Sequence, residues 1–253
     1  DPALRRLSVY LDFVAELFNA GLLCWTTRPR GRCQPFFVKK KSGKLRLVID
    51  CRQINVFFKV PVACEMGSLA AMGEIEVDPG QPGLCVSQAD ISNCFWQCGI
   101  PHDLSRWFCL DPVSGSFLLG LGVDSVEGAP VCADQKYFPA MGSLPMGWSW
   151  AMWFVQMLHE EVVSHEFDEE HIVRDSRPAP EMRGGETCAS PFCDNLGVIG
   201  TDADRVLKLR ESVQEGFEEL GFGMHEETIA EGDAEISGGR FHGDKQVICP
   251  SFK

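Results

Sequence analysis

Apolar residues recur at helical spacing at the start of the chain. Leu4, Leu7, Leu11, Val14 and Phe18 form one stripe, and Gly21 stands where a C-terminal cap belongs, so residues 3–20 are expected to form an amphipathic helix. A connector rich in Arg, Pro and Gly follows at 28–32. Two strand-like runs, 35–38 and 45–50, flank the polar stretch Lys40-Lys41-Ser42-Gly43-Lys44, the pattern of a hairpin. Residues 73–83 read as loop, and 84–90 as a short strand ending in a carboxylate. The runs 107–110 and 117–119 predict another hairpin, while 120–137 have no period and read as an insertion. From Gly147 to about His165, the stripe Trp148, Ala151, Met152, Val155, Leu158 and Val162 predicts a long helix with a core-facing side. The charged stretch 168–190 is expected to be an exposed loop. Phe192-Cys193, Asp194-Asn195 and Leu196-Gly197-Val198-Ile199 then predict a tight hairpin with a carboxylate at its tip. Val206, Leu209, Val213, Phe217 and Leu220 mark a last helix, and short strands close the chain. With no internal repeat and no coiled coil, the mixture is α+β.

Composition narrows the class. At 253 residues with 45% hydrophobic and 23% charged positions, the chain has ample material for a core, which argues against intrinsic disorder. No apolar run reaches the roughly 18 residues a spanning helix needs, and no basic-then-apolar signal opens the sequence, so a membrane or secreted protein is not expected. The 12 cysteines are scattered singly without C-x-x-C spacing, which favours reduced thiols used as small hydrophobes in an intracellular, reducing compartment. Charge is divided unevenly. Residues 1–59 hold 12 Lys and Arg against 4 Asp and Glu, whereas the rest hold 11 against 32. The balances, +8 and −21, make up the net −13. A basic front able to hold phosphates is joined to an acidic body that would repel them unless cations intervene.

Two carboxylates stand out by position. Asp90 ends a predicted strand and Asp194 tips a predicted hairpin, and carboxylates from distant strand ends can converge on divalent cations. Either alone is more often a turn or cap residue. The surrounding segments are more specific. Residues 37–55, Phe37-Val38-Lys39-Lys40-Lys41-Ser42-Gly43-Lys44-Leu45-Arg46 onward to Asn55, resemble the fingers signature of retroelement reverse transcriptases. Ala89-Asp90-Ile91-Ser92-Asn93-Cys94-Phe95-Trp96-Gln97 is similar to that family's first catalytic palm motif. Leu144-Pro145-Met146-Gly147-Trp148-Ser149 resembles its Leu-Pro-x-Gly loop, and Phe192-Cys193-Asp194-Asn195 its aromatic-x-Asp-Asp hairpin. Gly221-Phe222-Gly223 and Ser237-Gly238-Gly239 are similar to the last palm motifs. Their order and spacing run from about residue 12 to 243.

The resemblance implies a right-hand polymerase fingers and palm, with an antiparallel palm sheet packed on helices and no thumb. Fingers-side sequence would occupy 1–83, with the two parts interleaved, and mainly palm 84–253. It implies an RNA-directed DNA polymerase, a nucleotidyltransferase joining dNTPs to a primer 3′-hydroxyl on an RNA or DNA template. Asp90 and Asp194 would hold Mg²⁺ or Mn²⁺, with Asn195 beside them. Arg46, aided by Lys39, Lys40, Lys41 or Lys44, would bind the triphosphate. Phe95 would lie under the sugar and exclude a 2′-hydroxyl, or else be a plain core aromatic. Met146 and Gly147 would let backbone approach nucleotide and template, although Gly147 could also be a helix-start glycine. Because the motifs end near the last residue, thumb, RNase H, integrase or endonuclease modules are expected on a longer parent chain.

The sequence departs from the family pattern at two places. The second aspartate of the hairpin is Asn195, one charge fewer for a metal. Near Gly221 the expected basic residue is missing and Glu226-Glu227 stand there, leaving His225 as either a general acid for pyrophosphate or a surface histidine. A catalytically decayed domain acting as a binding module is therefore the alternative. A serine hydrolase built on Ser149, Asp194 and His225 or His242 would need a strand directly before Gly147, which Leu144-Pro145-Met146 does not supply.

Overall fold

In the computed structural model, which describes residues 1–40, 43–78, 80, 83–182, 185–231, 233–236, 239–245 and 247–250, the N-terminal stripe forms a helix over Leu7–Asn19 behind a 3₁₀ turn at Ala3–Arg5. Gly21 follows at φ +74, a left-handed conformation that carries no Cβ penalty in glycine. The buried edge is Tyr10, Val14 and Leu17 rather than the expected line through Leu7 and Leu11, and Leu7 is 70% exposed. Tyr10 accounts for the rotation, because its hydroxyl turns inward to donate to the Asp111 carbonyl oxygen.

The chain divides into two units, each assembled from two stretches: Asp1–Pro61 with Phe95–Ala151, and Val62–Cys94 with Met152–Lys253. In the first, the expected basic hairpin forms from Gln34–Lys39 and Leu45–Asp50, with Val38 opposite Arg46 and Gln34 opposite Asp50. A separate antiparallel sheet orders Leu23–Thr26, Lys136–Met141 and Val113–Ser114. Phe58, Trp107, Phe108 and Trp148 pack with ring centroids 5.2–6.3 Å apart, within the range of favourable aromatic pairs. The hairpin expected over 107–110 and 117–119 does not form. Cys109 makes isolated bridges to Arg32 and Ala140, and Gly115–Gly120 is a helix. Ser114 starts that helix, its hydroxyl accepting the Phe117 N–H as an N-cap. Within 120–137 lies a small ribbon, Ser125–Val126 paired with Ala129–Pro130.

The second unit is organised by a four-stranded antiparallel sheet in the order Thr187–Phe192, Asn195–Gly200, Cys85–Ile91, Met224–Glu231. The helix Ala203–Glu219 packs on its last three strands. Asp202 caps that helix by accepting the Arg205 N–H, and Gly221 closes it at φ +85. Val86, Val173, Met182, Cys188, Ile199 and Phe241 form one buried cluster. Val173 and Met182 show that 168–190 is not simply an exposed loop. Its scattered apolar residues are buried, and Glu181–Met182 pairs in parallel with Glu76–Val77, inside the stretch 73–83 also expected as loop. The long helix spans Ala151–Val163, four residues later than Gly147. It buries Val155 and Val162 as expected, but also Gln156 and His159, while Met152 faces outward. The architecture is α+β with mainly antiparallel sheets. Among the described residues no helix is long and apolar enough to cross a membrane.

Candidate functional site

Strand pairing sets the position of Asp90. The Cys85–Ile91 strand lies between two antiparallel neighbours, so Asp90 is opposite Asn195 on one side and His225 on the other. Directly opposed residues in an antiparallel pair project to the same face. A carboxylate, an amide and an imidazole therefore stand in a row across three strands. Asp194 joins them from the turn. Its flanking strands pair as far as Phe192 with Asn195, which leaves Cys193 and Asp194 as a two-residue loop. Cys193 is at φ +55, uncommon for a residue with a side chain. The Asp194 carbonyl oxygen accepts the Ile91 N–H at 2.8 Å, tying the tip to the strand that carries Asp90. The Asn195 Nδ2 donates to Asp194 Oδ1 at 3.1 Å. Asp90, Asp194 and Asn195 are half-buried and His225 is exposed.

Both carboxylates bear on the same neighbour. Burial pushes the Cys193 thiol up to about 12, and the charges of Asp194 and, more weakly, Asp90 push the same way. This thiol is a buried neutral group rather than a nucleophile.

The tip is held from behind by two residues to which the sequence pattern assigns no role. Gln156 Oε1 accepts the Cys193 N–H at 2.8 Å, and its Nε2 donates to the Pro191 carbonyl at 3.1 Å. His159 Nδ1 bonds the Cys193 carbonyl at 2.8 Å; a carbonyl oxygen only accepts, so the proton is on Nδ1. Burial holds His159 down to about 4, so the ring is neutral at pH 7. The available signal was two polar side chains three positions apart, on the face of the helix that also carries Val155 and Val162.

The other expected residues belong to the first unit. Lys40, Lys44 and Arg46 are exposed on the basic hairpin, as is Lys39, and the Lys40 N–H donates to the Lys44 carbonyl at 2.7 Å. Lys41 lies outside the described residues, as do Ser237 and Gly238. Phe95 is buried in the short helix Cys94–Gln97, and Met146 is half-buried. Gly147 is not a helix-start glycine. A Cβ there would fall 1.9 Å from the Ile49 carbonyl oxygen, so only glycine permits this loop to lie against the end of the hairpin strand. Asn55 locks the same loop, donating to the Gly147 carbonyl at 3.2 Å and accepting the Ser149 N–H at 3.0 Å. The residues before Ser149 are turn rather than strand, so no nucleophile elbow is present.

The donor chemistry around Asp90 and Asp194 fits a hard divalent cation. Two carboxylates and an amide carbonyl offer oxygen ligands, as Mg²⁺ and Mn²⁺ prefer. Among the described residues no group of three or more His, Cys, Asp or Glu could hold a metal ion by itself.

No family model matches the chain, and no curated protein sequence matches it. Solved structures do, and they define the class: the fold is reverse-transcriptase-like. A foamy viral protease–reverse transcriptase in complex with double-stranded DNA matches with a TM-score of 0.63 at 16% identity, over 99% of this chain and 41% of the other. A dRH form of that complex gives 0.63 and 16% over 96% and 34%. The native prototype foamy virus protease–reverse transcriptase gives 0.61 and 15% over 99% and 27%. The chain thus spans 27–41% of the length of these solved chains.

Proposed function

We propose that this chain is the fingers-and-palm part of a retroelement-type RNA-directed DNA polymerase, joining a primer 3′-hydroxyl to an incoming dNTP on a nucleic-acid template. The observation that supports it most is the meeting of Asp90 with the Asp194–Asn195 turn on adjoining strands, 104 residues apart in sequence, within a fold of this class. Asp90 and Asp194 would hold Mg²⁺ or Mn²⁺, which when bound supplies Lewis-acid activation of the hydroxyl and charge neutralisation at the phosphates. Asn195 orients Asp194 through its amide N–H and keeps a carbonyl oxygen for the metal. Arg46, with Lys40, Lys41 and Lys44, is assigned to the triphosphate, where a guanidinium fork matches phosphate geometry. Phe95 is assigned to sugar selection, Met146 and Gly147 to the approach of nucleotide and template, and His225 to protonation of the departing pyrophosphate. Thumb and nuclease or integrase modules would be carried elsewhere on the parent chain.

Primer extension on RNA and DNA templates, with Mg²⁺ and with Mn²⁺, tests this directly. Extension by the chain and its loss in Asp194→Asn is the expected result. Nucleic-acid binding without extension in either metal would make the chain a non-polymerising binding module, the alternative that Asn195 and the acidic body leave open.

A further inference from the structure

The Gln156 amide has all its polar capacity directed. Its Nε2 donates to Glu160 Oε1 at 2.8 Å as well as to Pro191, which obliges Oε1 to face the Cys193 N–H. Glu160 is itself held. Arg174 Nη2 and Nε reach Glu160 Oε2 at 2.9 and 3.0 Å, and the Arg174 and Glu160 side chains are 10% and 14% exposed. A buried carboxylate is stable there because this guanidinium pairs it. One residue before Glu160, His159 is wholly buried, its ring T-shaped to Phe217 with centroids 5.3 Å apart and its Nδ1 bonded to the Cys193 carbonyl. Its Nε2 has no partner among the described residues. Leaving a polar atom orphaned costs free energy, and an apolar side chain would fill the same space without that cost. A histidine at this point is thus explained by the one bond it makes, to the peptide that joins Cys193 to Asp194.

We propose that His159 and the Glu160–Arg174 pair are positioning residues for Asp194, fixing the peptide planes on both sides of left-handed Cys193 and so the aim of the Asp194 carboxylate. The proposal deepens the polymerase reading and rests on it for the metal that Asp194 meets. Glu160 acts at one remove, by forbidding the flipped Gln156 amide; His159 acts directly on the carbonyl. Neither touches substrate or metal.

The test uses the whole chain, with two readouts that need no polymerisation: amide hydrogen exchange at Cys193, and binding of Mn²⁺ followed by its paramagnetic resonance signal. Glu160→Ala frees the Gln156 amide and is expected to speed Cys193 exchange, while His159→Leu removes the carbonyl bond. Both should weaken Mn²⁺ binding by ~10-fold or more, the usual scale for residues that orient metal ligands. His159→Asn, which presents an N–H near the Nδ1 position, should restore most of the affinity that His159→Leu loses. Folded variants that bind Mn²⁺ as the parent does would overturn the proposal. So would a parent whose Mn²⁺ binding is indifferent to Asp194→Asn. If instead Mn²⁺ affinity and Cys193 exchange respond as expected but no primer is extended, the positioning stands and the polymerase reading fails.

Discussion

Two charged hairpins in this chain are built in opposite ways. The turn at Asp194 is gripped from behind: Gln156 and His159 hold the backbone on both sides of Cys193, and the Asp194 carbonyl is tied to Ile91. The basic hairpin is anchored through its strands, where Phe37 packs on Phe13 and Ile49 meets the Gly147 loop, but its described cationic side chains stand clear. Lys40, Lys44 and Arg46 are exposed, and Gly43 sits at φ +83 with nothing within 4 Å of where a Cβ would be. On the proposed function, the difference follows from what each would have to meet. A carboxylate on a small cation works within a few tenths of an ångström, which requires a fixed backbone. Long cationic side chains meeting the spread charge of a phosphate can search their own rotamers. Damage to the first hairpin should therefore be close to all-or-none, and damage to the second graded.

The widest break in that comparison is Asp194→Asn. It keeps the shape of the tip and removes a charge that nothing nearby replaces, so primer extension should fall by about 10³-fold, corresponding to about 4 kcal/mol of lost metal-assisted stabilisation. Steady-state extension rates at saturating Mg²⁺ measure it. A residual rate within tenfold of the parent would mean that the tip does not carry the chemistry.

His159 gives the next effect, read in stability. Its folded value of about 4 lies below the ordinary 6.5 because burial disfavours the charged ring. The unfolded chain therefore binds more protons between these values, and stability falls as pH drops from about 6.5 towards 4. One such group gives a slope of roughly 1.4 kcal/mol per pH unit, up to about 3 kcal/mol across the window. Denaturation midpoints of the parent against His159→Leu should show that slope disappear. An unchanged pH profile would mean that the ring is not buried neutral.

Much of this was legible in the sequence, and the part that was not has a common cause. The Asp194 hairpin could be read because Phe192, the turn pair and the apolar run after it are local signals. The meeting of Asp90 with Asp194 came from the motif order, since no local pattern pairs residues so far apart. A periodic apolar stripe draws attention to Val155 and Val162 and treats their polar neighbours Gln156 and His159 as exterior. Only tertiary contact with Pro191 and Cys193 makes those positions interior. The segment 117–119 was misassigned as strand because a short apolar run fits either period; Ser114, three residues ahead of Phe117, was the cap signal that decides for helix. In 168–190 the density of charge hid Val173 and Met182, and Arg174, charged but nearly buried, is paired with Glu160.

On the basic hairpin the comparison predicts gradation. Arg46→Ala should raise the KM for dNTP by about 10- to 100-fold, the scale of one or two charge-assisted hydrogen bonds, with kcat much less affected. Arg46→Lys should recover part of this, because charge survives and the fork does not. Lys44→Ala should cost less and fade as salt rises, as for exposed charges generally. Equal losses in kcat and KM at Arg46 would place it in the gripped class instead.

Asn195→Asp should have the smallest effect, because two consequences oppose each other. The added charge attracts a divalent cation by about 2 kcal/mol across 4 Å of water, roughly 30-fold in affinity. Against it, the variant loses the bond from Asn195 Nδ2 to Asp194 Oδ1 and sets two carboxylates side by side, which repel until a cation arrives. The repulsion acts only without metal, so the two effects separate with Mg²⁺ concentration. The variant should unfold at a lower temperature than the parent in chelator and regain the difference as Mg²⁺ is added, since a ligand that binds the folded state stabilises it. Its extension rate should exceed the parent's at low Mg²⁺ and converge with it at high Mg²⁺. Melting curves and rates that run parallel to the parent's at every Mg²⁺ concentration would mean that position 195 does not face the metal, leaving Asn195 only the task of orienting Asp194.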